Sequence, residues 1–72
     1  MRYLIVIEET STGFSAYSPD LDGCVAIGST PGEVERNMRE AIALHIEGLE
    51  AEGFEVPPPR SYSAYVELGS EF

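Results

Sequence analysis

The chain has 72 residues, one cysteine, one histidine and a formal net charge of −9, from thirteen carboxylates against four arginines and no lysine. At this length one small domain buries only about 60% of the surface its unfolded chain exposes. An internal disulfide is excluded and a metal cage disfavoured, which leaves idealised packing or self-association to support a thin core; self-association is the expectation, most simply as a homodimer. The acidic balance argues against direct binding to DNA or RNA, where basic residues must displace counterions. No apolar run approaches the roughly eighteen residues of a membrane span. The apolar opening is too short for a secretory signal and runs into Glu8 and Glu9, so a soluble, reducing, cytoplasmic setting is expected.

Residues 2–8 read as a first strand, with Tyr3, Ile5 and Ile7 on one face and Leu4 and Val6 on the other. A polar turn ending at Gly13 leads to a second strand, residues 14–18, where Phe14, Ala16 and Ser18 alternate with Ser15 and Tyr17. Pro19 ends it, because proline cannot donate to a ladder. Asp20 and Asp22 are expected to cap the turn that Gly23 permits, and residues 24–28 form a third, mostly apolar strand.

Thr30, Pro31 and Glu33 mark a helix start with a capping box. Val34, Met38, Ala41, Ile42, His45 and Leu49 then form one apolar stripe, with Ile46 at its margin, and Gly53 stands where a C-terminal cap is expected. The triple proline at 57–59 is a stiff crossover. Residues 62–68 alternate Tyr62, Ala64, Val66 and Leu68 against Ser63, Tyr65 and Glu67, as a fourth strand would. The fold class is therefore α+β, a two-layer β-β-β-α-β arrangement. A three-strand antiparallel meander carries the helix on one face and the fourth strand beside the first. The domain spans residues 1–68, and 69–72 read as a disordered tail or a cloning remnant. The sheet face away from the helix keeps apolar side chains and is where a second subunit is expected.

No catalytic, cofactor-binding or metal-ligating set is apparent. His45 falls mid-stripe with no acid, thiol or hydroxyl nucleophile placed beside it by spacing. A histidine bonded to a backbone carbonyl or hydroxyl in the core explains it better than a general base. Asp20 and Asp22 could hold a divalent cation or form a catalytic pair, but paired aspartates at a glycine turn far more often serve the turn.

The run Tyr17-Ser18-Pro19-Asp20-Leu21-x-Gly23-Cys24-Val25-Ala26-x-Gly28-x-Thr30-x-x-Glu33, then Asn37, Glu40-Ala41-Ile42, Leu44-His45 and Leu49, resembles the N-terminal domain of HicB-type antitoxins. The resemblance extends over residues 1–68. It implies a partial ribonuclease-H-like fold without the four-carboxylate metal site of a nuclease. It also implies an antitoxin, not an enzyme, that binds a small basic mRNA-cleaving toxin of the HicA type and masks its RNA-binding surface. The strong negative charge suits such a partner. Glu8, Glu9, Asp20 and Asp22 are the candidate contacts, although the family motif does not single them out. Family members usually continue into a DNA-binding domain. Only four residues follow Leu68, so operator binding is not expected. The alternative is a HicB-like homo-oligomeric module without a toxin partner.

Overall fold

The computed structural model describes residues 1–70; residues 71 and 72, the second half of the expected tail, lie outside the described residues. Three strands, β1 (Val6–Glu9), β2 (Phe14–Tyr17) and β3 (Val25–Gly28), form an antiparallel meander in the order β1-β2-β3. One helix, α1 (Pro31–Ala51), packs on it. This is the expected α+β arrangement.

Register sorts the side chains between two faces. Ile7 pairs with Ala16 and Ala16 with Ala26, which places these three toward α1. Buried Ala16, Leu21, Cys24, Val34 and Met38 form the core, with Tyr3, Ile5, Phe14, Ala26, Ala41 and Ile42 packed around it. Full burial of a Val, Leu or Met side chain contributes about 1.5–3 kcal/mol, so Leu21, Val34 and Met38 carry much of the stability of so small a domain. Gly28 lets the helix come this close. A Cβ there would lie 2.6 Å from the Val34 backbone nitrogen.

Both helix ends follow from local chemistry. Thr30 Oγ1 accepts the Glu33 N–H at 3.1 Å. The Glu33 carboxylate accepts the Ser29 N–H at 3.2 Å, one residue before its place in a standard capping box. At the other end Gly53 has φ +76°, its N–H donates to Glu50 O, and the Phe54 N–H donates to Leu49 O at 2.8 Å, the Schellman pattern.

Two expectations are corrected. The first strand begins at Val6, not at residue 2, because its partner stops at Tyr17. There the Ser18 N–H turns to Cys24 O, and Pro19 has no N–H to offer. The Ser18 hydroxyl instead donates to Leu4 O at 3.0 Å, holding residues 2–5 beside the sheet without a ladder. The fourth strand is not formed among the described residues. Residues 62–68 have no ladder partner and leave Tyr62 87%, Tyr65 98% and Val66 84% exposed. Alternation supplies the propensity for a strand, but a strand also needs a neighbouring backbone, and none of the described residues pairs with the segment. The radius of gyration, 14.6 Å, accordingly exceeds the roughly 11 Å expected of a compact domain of this length.

Candidate partner interface

The sheet face opposite α1 is uncovered. Register aligns Val6, Tyr17 and Val25 in one cross-strand row and Glu8, Ser15 and Ile27 in the next. Val25 is 65% and Ile27 76% exposed, and Tyr17 is also open to solvent. The result is an apolar patch with a carboxylate at its rim. The Asn37 amide donates to Ile27 O at 2.8 Å, which ties the edge strand β3 to the helix.

The four carboxylates expected to meet a partner do not share one environment. Glu8 lies on the uncovered face, and Glu9 ends β1; both are exposed. Asp22 is exposed in the loop before β3. Asp20 is half-buried and reaches 41 residues along the chain. Its Oδ2 accepts the N–H groups of Arg60 and Ser61, each at 3.0 Å, and its Oδ1 accepts the Ser61 hydroxyl at 2.9 Å. The Ser61 N–H above all holds the Asp20 carboxyl below its ordinary range; burial opposes it, and the Arg60 N–H, the Ser61 hydroxyl and the Arg60 charge add to the lowering.

Asp20 therefore does not cap its own turn. The loop is closed by backbone bonds, Leu21 N–H to Ser18 O and Cys24 N–H to Leu21 O, with Gly23 at φ +75°. The Tyr3 hydroxyl donates to Pro57 O. Pro57, Arg60 and Ser61 are thus held against the domain at three points, a feature for which sequence spacing gives no signal.

His45 lies half-buried on α1, outside the core cluster, with none of the described hydrogen bonds reaching it. Neither it nor Asp20 or Asp22 lines the best-formed surface clefts. Among the described residues no three His, Cys, Asp or Glu side chains gather as a metal site would require. Among the same residues no helix is long and apolar enough to cross a membrane.

A match to the HicB_like antitoxin of bacterial toxin-antitoxin system spans residues 3–70. The chain belongs to this antitoxin family. A chain of a HicA3 and HicB3 toxin-antitoxin complex superposes with a TM-score of 0.72 at 47% identity, over 82% of this HicB-like chain and 70% of the other. The antitoxin HicB3 crystal structure gives 0.67 at the same identity, over 79% of this chain and 42% of its own. An uncharacterised 14.9 kDa protein of Haemophilus phage HP1 is 36% identical over 66 residues, 92% of the HicB-like chain. The chain spans half the length of that phage relative.

Proposed function

We propose that this HicB-like chain is a non-catalytic antitoxin that neutralises a small basic mRNA-cleaving toxin of the HicA type by covering its RNA-binding surface. The likeness to a chain of the HicA3 and HicB3 complex, at 47% identity and a TM-score of 0.72, carries the reading. The net charge of −9 supports it, because a surface built to hold RNA phosphates also attracts an acidic protein and steers its approach. Exposed Glu8, Glu9 and Asp22 are free to face such a partner, whereas Asp20 contributes its charge while bound to Arg60 and Ser61. The uncovered patch of Val6, Tyr17, Val25 and Ile27 supplies the apolar area that charge steering alone lacks.

Co-expression tests the reading. Cells producing a HicA-type toxin should resume growth when this chain is supplied, and the Glu8→Lys, Glu9→Lys, Asp22→Lys triple variant should rescue poorly. Full toxicity in the presence of abundant, folded chain contradicts it. A second reading, a homo-oligomer with no toxin partner, is favoured by the same uncovered sheet face and predicts self-association without rescue.

A further inference from the structure

We infer that residues 62–68 form an exchanged strand, each copy of the chain laying this arm along the free edge of β1, and the residues preceding it, in a second copy. The inference is independent of the toxin reading. It begins from the arm's exposure: Tyr62 is 87%, Tyr65 98%, Val66 84% and Leu68 67% exposed, so four large side chains meet almost nothing of their own chain. The period-2 alternation of the segment suits a pleated, half-buried surface.

The arm has a fixed root. Tyr3 holds Pro57, Asp20 holds Arg60 and Ser61, and the prolines between them are stiff. An arm presented from a held root loses less freedom on binding than a loose tail. The chain also supplies the complementary surface. The strand order β1-β2-β3 leaves the outer edge of β1 unpaired, a row of backbone groups open to another strand. Where the arm leaves the domain, Ser61, Tyr62 and Ser63 face Tyr3, Leu4 and Ile5 across an open cleft of about 430 Å³, and no strand pairing joins the two sides.

A second copy fits better than an unrelated partner for three reasons. A two-fold exchange satisfies both arms and both edges at once, because each copy carries donor and acceptor. Charge permits approach here: of the chain's thirteen carboxylates the arm has one, Glu67, and the acceptor segment, residues 2–9, has two, Glu8 and Glu9, with Arg2 at its other end. The area is sufficient. An aromatic side chain buries about 150–250 Å², so the four tyrosines of two arms supply roughly 600–1,000 Å². Val66, Leu68 and the covered edges bring this within the range of about 1,200–2,000 Å² of stable interfaces.

The full chain tests this by light scattering and by isotope-filtered NMR on an equimolar mixture of labelled and unlabelled protein. The expected result is a dimer with intermolecular NOEs joining residues 62–68 to residues 2–9. Tyr65→Asp and Val66→Asp, at positions that support no core contact, should weaken self-association at least tenfold while leaving the helical circular dichroism unchanged. A monomer at 100-micromolar concentration overturns the inference. So does a dimer whose NOEs join only the faces around Tyr17, Val25 and Ile27, or an arm that orders only when a different protein is added.

Discussion

Asp20 and Ser61 meet across 41 residues through both oxygens of one carboxylate, Oδ2 on the Ser61 N–H at 3.0 Å and Oδ1 on its hydroxyl at 2.9 Å. This contact, not strand pairing, fixes the end of the proline crossover to the loop between β2 and β3. It gives a residue expected at a toxin interface a task inside its own fold.

The contact is pH-dependent in a defined direction. Because the folded-state pKa of Asp20 is depressed, its contribution to stability is complete above the unfolded carboxyl value of about 3.9. It is lost as pH falls through the lower folded value. Asp20→Asn should speed amide exchange at Arg60 and Ser61 at pH 6–7. The difference in melting temperature between wild type and variant should shrink below about pH 4. A gap that stays constant down to pH 2 contradicts the contact's ionic character.

Gly28→Ala should destabilise the domain by about 1–3 kcal/mol, because the added methyl meets Val34 backbone atoms that cannot step aside. Denaturant unfolding measures this, and an unchanged midpoint is the contrary outcome.

Met38→Ala removes a fully buried side chain from the centre of the helix–sheet contact and should cost about 2–5 kcal/mol. Thr30→Ala should cost about 1 kcal/mol, because the Glu33 N–H loses its acceptor while the helix face stays intact. In thermal melts Met38→Ala should therefore lower the transition well beyond Thr30→Ala; the reverse order contradicts the assignment of the core.

Cys24 is 4% exposed, and burial pushes its thiol pKa up. The folded protein should react with a disulfide reagent at least on the order of a hundredfold more slowly than the urea-unfolded chain. The sign of the shift also predicts a loss of stability as pH rises past the unfolded thiol value of about 8.5. Fast labelling of the native state would show that Cys24 is not where the core places it.

The meander, the helix and its caps were legible because each is written locally, in alternation, in Pro19 and Gly23, and in Thr30 with Glu33 three residues on. The stripe from Val34 to Leu49 was legible as well, although only Val34 and Met38 are fully buried and Ala41, Ile42, His45, Ile46 and Leu49 are half-buried. What sequence did not reveal are contacts between distant segments. Asp20 beside Gly23 carries the signature of a turn cap, and nothing in its neighbourhood points to Arg60 and Ser61. Residues 62–68 have a strand's pattern, but pattern reports propensity and not the presence of a neighbour. Of the candidate partner residues, Glu8, Glu9 and Asp22 are exposed as an interface would need, and Asp20 is engaged within the chain.

Neutralisation as proposed would require this chain to occupy the RNA surface of an mRNA-cleaving toxin. The most direct measurement is RNA cleavage by a purified HicA-type toxin during titration with the chain, at low and at high salt. The expected result is stoichiometric inhibition at low salt that weakens as salt screens the charges, with RNA and the chain competing for the toxin. Cleavage that proceeds unchanged in the presence of excess folded chain at low salt would contradict it.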